Sequence, residues 1–194
     1  AGRWKLAHYA IRHANQSQRI LIDRNDRDSL RTLMINDSKK AIHGKVTIER
    51  FNWSGQVLHS HQMEFNSPAF SEKEWNWGAL DTWEINPGKE GIRWAWTNNI
   101  GELIDAGIQR FAKPSELDLP QANVEFTTLQ NQIELATDSF AYGIQLTADI
   151  PGHFSSNGMS LAPGGSISVQ FIPETTGAEL RNLTVRHLGQ YRHH

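Results

Sequence analysis

The feature that most constrains the fold is a series of short segments in which apolar and polar residues alternate, separated by turn residues. In the second half of the chain the alternating apolar residues are Ile133 and Leu135; Tyr142, Ile144 and Leu146; Ile167, Val169 and Phe171; and Leu183 and Val185. Alternation with a period of two predicts β-strands that each have one apolar face. No segment between them is long enough for a crossover helix, which excludes parallel βαβ units. The pattern therefore predicts an antiparallel β-sandwich.

The first half of the chain has the same character and carries more aromatic residues. Its predicted strands are rich in β-branched and aromatic residues and span 19–23, 30–36, 45–51, 57–65, 92–97 and 103–111. Ser54 and Gly55 separate two of these segments and predict a hairpin turn. The stretch 113–120 contains two prolines and little periodicity, so we expect it to link two sandwich domains.

One helix is expected, at the start of the sequence over residues 3–14. Trp4, Ala7, His8 and Ile11 fall at spacings that place them on one helical face. No capping residue precedes this segment, so the helix begins abruptly. We therefore expect it to be the last helix of an upstream domain, and the chain to be a piece of a larger protein.

Composition excludes several classes of partner. Nineteen Lys and Arg face twenty-one Asp and Glu, and no basic run occurs, so no nucleic-acid partner is expected. No apolar segment is long enough to span a membrane, so no membrane partner is expected either. The chain has no cysteine, which excludes disulfides and thiolate metal sites. The compartment stays open between a bacterial cytoplasm and periplasm.

The sequence contains no recognisable catalytic motif. Glycoside hydrolysis needs two facing carboxylates, but the candidate acids all lie beside turns, where we expect solvated surface groups: Glu84, Glu90, Glu102 and Asp105. His59 and His61 share one face of a predicted strand, but a metal site needs a third ligand and none is evident. We therefore predict no catalytic residue, no metal and no cofactor in this chain.

The tryptophans are the most informative residues for function. Seven occur, and Trp75 with Trp77, and Trp94 with Trp96, are spaced so that each pair shares one strand face. Three interpretations are open. The rings could stack on sugars, they could fill the core, or they could contact a neighbouring domain. Trp4 on the predicted helix is a further candidate for carbohydrate or interdomain contact.

The chain also resembles a known family through several motifs in the family's order. Residues 2–9 (GRWKLAHY) resemble the segment that ends the catalytic barrel of β-mannosidases of the glycoside hydrolase family 2 type. Residues 33–37 (LMIND) and 44–46 (GKV) are similar to the opening strands of the mannosidase immunoglobulin-like domain. Residues 113–120 (KPSELDLP) resemble the connector to the last such domain, and 155–158 (SSNG) with 161–164 (LAPG) resemble a stretch within it.

This resemblance implies an all-β chain of two immunoglobulin-like antiparallel β-sandwich domains in tandem, preceded by a short N-terminal helix. Residues 1–16 would be a helical remnant of the barrel, 17–114 the mannosidase immunoglobulin-like domain, and 115–192 the C-terminal one. The family is exo-acting and retaining, and its two catalytic glutamates lie on the barrel upstream of this chain. The resemblance thus implies accessory domains that support the barrel of the same parent chain, with mannose-containing glycans as further candidate partners. The alternative is a carbohydrate-binding module that uses surface tryptophans.

Overall fold

A computed structural model describes residues 4–24, 30–76 and 83–191 of the chain. The described residues form one α-helix, α1 (Leu6–Ala14), and two short 3-10 turns, Pro114–Glu116 and Leu188–Tyr191. The strands are β1 (Gln18–Arg24), β2 (Leu30–Asn36), β3 (Ile42–Asn52), β4 (Val57–Ser67), β5 (Ser71–Asn76), β6 (Glu90–Asn98), β7 (Leu103–Arg110), β8 (Val124–Leu129), β9 (Gln132–Thr137), β10 (Ala141–Ala148), β11 (Gly152–Phe154), β12 (Met159–Leu161), β13 (Ser166–Pro173) and β14 (Leu183–Arg186). The all-β fold class with one short N-terminal helix is confirmed.

The chain divides into two compact units. The first, which we call the helix unit, comprises 1–15, 53–55 and 119–194. The second, which we call the tryptophan unit, comprises 16–52 and 56–118. The change of unit after Asp118 falls inside the stretch 113–120 that we expected to be a linker. The assignment of 1–16 to a catalytic barrel stays a prediction.

The tryptophan unit is built from two antiparallel sheets, with strand orders β1–β2–β5 and β4–β3–β6–β7. Val46 on β3 pairs with Met63 on β4 and with Trp96 on β6, which fixes the register of the larger sheet. Its core is formed by side chains from both sheets, and the fully buried ones include Val46, Ile48, Ile92 and Trp96. Alternate residues of β3 (Val46 and Ile48) and of β6 (Ile92, Trp94 and Trp96) thus contribute to this core.

The helix unit also contains two antiparallel sheets, with strand orders β11–β13–β9–β8 and β12–β10–β14. The alternating residues of the sequence supply its core, including Ile133, Leu135, Ile144 and Val169, none of which has exposed surface. Gly164, in the turn before β13, has a positive φ of 70° and donates its N–H to the Thr137 carbonyl. Glycine adopts this left-handed conformation at no steric cost, so the turn needs it.

Helix α1 packs against this sandwich. Tyr9 is the helical residue that joins the core, and its hydroxyl accepts a hydrogen bond from the Phe154 N–H at 3.1 Å. Arg12 Nη1 donates to the Ser155 carbonyl at 3.4 Å. Because β11 is the last strand of its sheet, α1 satisfies backbone groups along an otherwise open edge.

The start of α1 differs from the expectation of an uncapped helix beginning at residue 3. The His8 Nδ1 accepts the Lys5 N–H at 3.1 Å, and the Lys5 carbonyl accepts the His8 N–H at 2.9 Å. Histidine here takes the place that glutamate or glutamine has in a capping box, which is why the usual sequence signature was absent. No helix among the described residues has the length and apolar character needed to cross a membrane.

The six strands predicted in the first half are all present, and 30–36 has the predicted bounds. Four strands were missed: β5, β8, β11 and β12. Each lies at the edge of its sheet, and β5 carries consecutive charged residues from Glu72 to Glu74. An edge strand is covered less than a central strand and needs fewer apolar residues, and β11 and β12 are only three residues long, so periodicity did not reveal these strands.

Candidate functional site

Trp94 and Trp96 lie on β6 and share one face, as their spacing predicted, but this face is turned toward the core. Trp96 has no exposed surface and packs edge-on against Phe65, with ring centroids 5.3 Å apart. Trp94 is partly buried against the same core, and its ring covers Gly107 on β7, where a Cβ would overlap it. The core interpretation therefore holds for Trp96, which cannot reach a glycan in this structure.

Trp75 lies on β5 and is also partly buried against the core of the tryptophan unit. Its ring meets Phe65 edge-on with centroids 5.8 Å apart, and Lys73 Nζ lies 5.0 Å from its centroid. These contacts hold the ring in place within its own unit. Trp77, the other member of the predicted pair, lies outside the described residues.

Asp105 corrects the expectation that all candidate acids are solvated. It is only 5% exposed, and its Oδ2 accepts the Ile20 N–H at 2.7 Å and the Trp94 Nε1–H at 3.1 Å. The carboxylate therefore links β7 to β1 and fixes the Trp94 ring. A buried acid that satisfies two donors of its own unit has a structural role.

Glu90 is the second candidate acid with a defined partner. Its Oε2 accepts a hydrogen bond from Arg50 Nε at 2.8 Å and another from the Asn86 N–H at 3.0 Å. Burial alone would raise the pKa of Glu90, but the hydrogen bonds from Arg50 and Asn86 outweigh it and lower the pKa below its ordinary value. Glu90 is thus held ionised in an ion pair with Arg50.

The predicted histidine pair does not form a metal site among the described residues, where no group of three possible ligands occurs. His59 instead stacks on Trp83, with ring centroids 5.4 Å apart and an interplanar angle of 24°.

Trp4 is placed differently from the tryptophans on strands. It is 39% exposed and lies just before α1. Its ring is stacked on His153 of β11, with centroids 4.4 Å apart and an interplanar angle of 9°, and Tyr9 lies 5.6 Å away. The ring is therefore both accessible and held in one orientation.

Trp4 lines a cleft of about 190 Å³ in the helix unit. The residues that line it come from the start of α1, from β10 and from the region around β11: Trp4, Lys5, Leu6, Tyr9, Gln145, Leu146, Thr147, Ala148, Ile150, Gly152, Phe154 and Asn157. The lining includes the aromatic residues Trp4, Tyr9 and Phe154 and, from β10, the polar residues Gln145 and Thr147. Sequence reasoning identified Trp4 but missed Gln145 and Thr147, since an exposed polar residue on a strand carries no signal of its own.

Asn157 fixes the shape of this cleft. Its Oδ1 accepts the Leu146 N–H at 2.8 Å and the Gly158 N–H at 2.9 Å, and its Nδ2 donates to the Leu146 carbonyl at 2.9 Å. The side chain thus pairs with β10 as a neighbouring strand would. Asn157 belongs to the SSNG motif that carried the family resemblance, and this bonding gives a physical reason for an asparagine there.

The two sheets and shared core of the helix unit define it as an antiparallel β-sandwich. Residues 114–191 match the family model of the mannosidase immunoglobulin domain, described as an Ig-fold domain. The resemblance indicated by the motifs is therefore confirmed for residues 114–191, which form an Ig-fold domain of the mannosidase type. No curated protein sequence matches the chain.

Solved structures with the same fold include two glycosidases. The β-D-mannosidase from Dictyoglomus thermophilum matches with a TM-score of 0.77 and 20% identity, over 94% of this chain and 23% of that one. The exo-chitosanase CsxA from Amycolatopsis orientalis matches with a TM-score of 0.67 and 13% identity, over 94% of this chain and 27% of that one. The chain thus spans about a quarter of the length of these proteins.

Proposed function

We propose that this chain is the accessory C-terminal part of a β-mannosidase-type glycoside hydrolase that removes terminal β-mannosides. Residues 17–114 and 115–192 would be its two accessory sandwich domains, and residues 1–16 the end of its catalytic barrel. Their function is to support the barrel of the same parent chain, which carries both catalytic glutamates.

One observation carries this proposal. The mannosidase-type immunoglobulin domain over 114–191 occurs in a chain whose whole fold corresponds to about a quarter of a larger β-mannosidase. The described acids agree with a supporting role, because Asp105 and Glu90 are each engaged by groups of their own unit. Retaining hydrolysis needs two carboxyl groups about 5–5.5 Å apart across a sugar, and neither of these acids is free for that task.

A carbohydrate-binding function is the second candidate. It is favoured by one tryptophan, Trp4, whose ring is accessible, fixed and next to polar groups. This function is compatible with an accessory role, since a binding domain can hold a polymer near a barrel.

The test compares the isolated chain with the native protein. An antibody raised against the chain is used to purify the native protein from the source cells, and both samples are assayed on an aryl β-mannoside. We expect turnover by the native protein and none by the isolated chain. Turnover by the isolated chain would show that it is itself a hydrolase and would overturn the proposal.

The specificity of the native activity provides the second arm. The same preparation is assayed on aryl β-glucoside and aryl β-glucosaminide, because one of the matching structures is an exo-chitosanase. Preference for the mannoside supports the proposed substrate. Preference for the glucosaminide would keep the accessory role and reject the mannoside assignment.

A further inference from the structure

We propose that the cleft between Trp4 and strand β10 is a binding site for a single pyranose ring of a neutral glycan. The tryptophans of strands β5 and β6 do not line this cleft. Its function would be to hold a sugar at the surface of the helix unit.

The aromatic side of the site is preorganised. Trp4 stacks in parallel on His153 at 4.4 Å, and this contact fixes the plane of the indole ring while leaving 39% of the residue exposed. A rigid aromatic ring offers a flat apolar area that matches the C–H face of a pyranose. Because the ring is already held in place, a ligand does not have to order it on binding.

Strand β10 contributes polar residues to the lining of the cleft. Gln145 and Thr147 alternate with buried residues along β10, so both side chains are exposed. Neither side chain has a hydrogen-bond partner within the described part of the chain, and both line the cleft. The Asn157 side chain makes three hydrogen bonds, to Leu146 and Gly158, and these keep β10 in position. An amide and a hydroxyl together donate and accept, as sugar hydroxyls require.

Size and charge restrict the ligand. Sites for drug-sized molecules usually measure about 300–1,000 Å³, so a cleft of about 190 Å³ suits one ring. Lys5 is the one charged residue among those that line it. A single exposed lysine with no second cation does not make a carboxylate or phosphate site, so a neutral polyhydroxylated ring fits best. The sugar class follows from the cleft, whereas the choice of mannose as first probe rests on the proposed function.

The experiment titrates the 194-residue chain with β-1,4-mannotetraose and, separately, with cellotetraose, while backbone amides are followed by NMR. We expect saturable binding, with the largest shifts at Gln145 and Thr147. Trp4→Ala and the double variant Gln145→Ala/Thr147→Ala should each weaken binding about tenfold, which corresponds to about 1.4 kcal/mol. Ile11→Ala is the matched control, because Ile11 is an exposed residue of α1 that does not line the cleft, and it should leave binding unchanged.

The double variant guards against misfolding, since both of its positions are exposed on a strand and contribute little to the core. Binding of cellotetraose but not of mannotetraose would support a sugar site in the cleft. It would count against mannose as the ligand, so the sugar site and the proposed mannoside function can fail independently. Two results would overturn the inference. The first is no saturable binding of either oligosaccharide, and the second is binding that neither Trp4→Ala nor the double variant weakens.

Discussion

Trp96 of the tryptophan unit and Trp4 of the helix unit are placed in opposite ways, although the helix unit also contains a buried tryptophan, Trp53, which stacks on Phe140. In the tryptophan unit, Trp96 has no exposed surface, and the Trp94 ring is fixed because its Nε1–H donates a hydrogen bond to Asp105. In the helix unit, Trp4 is partly exposed, is stacked on His153, and borders a cleft with free polar groups. The difference teaches that the position of a tryptophan in the sequence does not show whether its ring is buried, because the elements that cover the ring decide it.

The largest effect that tests this comparison is expected from Trp96→Ala. Removal of a fully buried aromatic side chain typically costs about 3–5 kcal/mol, because the cavity does not close completely. Trp4→Ala should cost only about 1 kcal/mol, the size of an exposed aromatic contact. Urea unfolding of both variants gives the two free energies. Equal losses in the free energy of unfolding would remove the distinction between the buried Trp96 and the partly exposed Trp4.

Asp105→Ala should have the next largest effect. The substitution leaves the Ile20 N–H and the Trp94 Nε1–H without their acceptor, and each unpaired buried donor costs about 1–3 kcal/mol. We expect a loss of about 2–4 kcal/mol in the free energy of unfolding. Asp105→Asn keeps one acceptor oxygen and should lose less. A stable Asp105→Ala variant would show that this carboxylate does not hold the sheet.

Tyr9→Phe tests the attachment of α1 to the helix unit. The variant removes the oxygen that accepts the Phe154 N–H, so we expect a loss of about 1–2 kcal/mol and faster hydrogen exchange of that amide. Ile11→Ala, on the exposed side of the same helix, should change stability by less than about 0.5 kcal/mol. Unchanged exchange at Phe154 in Tyr9→Phe would contradict the packing of α1 described above.

A smaller effect is expected in the helix unit when the pH falls below 6.5. His187 is 2% exposed, and burial lowers its pKa below the ordinary 6.5, although the Ala122 backbone opposes part of this shift. The unfolded chain therefore binds a proton more readily than the folded one. Stability is fully present above pH 6.5 and decreases as the pH falls below it.

Hydrogen exchange of helix-unit peptides at about pH 7.5 and about pH 5.5, corrected for intrinsic rates, measures this decrease. His187→Gln should flatten the pH dependence, whereas the control His43→Gln, at an exposed position of β3, should not. A pH dependence that survives in His187→Gln would assign the effect to another group.

Much of the fold was predictable because its core strands alternate clearly. The cores of β3, β9, β10 and β13 follow the sequence pattern, and the turn at Gly55 has the positive φ that a hairpin glycine allows. The edge strands β5, β8, β11 and β12 were not predicted, because each is short or mostly exposed and shows little apolar alternation. The cap of α1 was missed because His8 replaces the acidic residue of the usual signature.

The candidate site was predictable only in part. Trp4 could be identified as an aromatic residue on a helical face, but His153, Gln145 and Thr147 come from strands more than 130 residues away in sequence. No local pattern marks such residues, because their proximity depends on the complete sandwich. Asp105 was misassigned for the same reason, since its donors lie on β1 and β6.

The measurement that tests the central claim most directly is the size of the native protein, determined by immunoblotting of the source cells with an antibody to this chain. Because the chain corresponds to 23% of the length of the D. thermophilum β-mannosidase, we expect a band several times larger than 22.0 kDa. Such a band means that the chain is the accessory part of a larger enzyme. A band at 22.0 kDa would contradict this account.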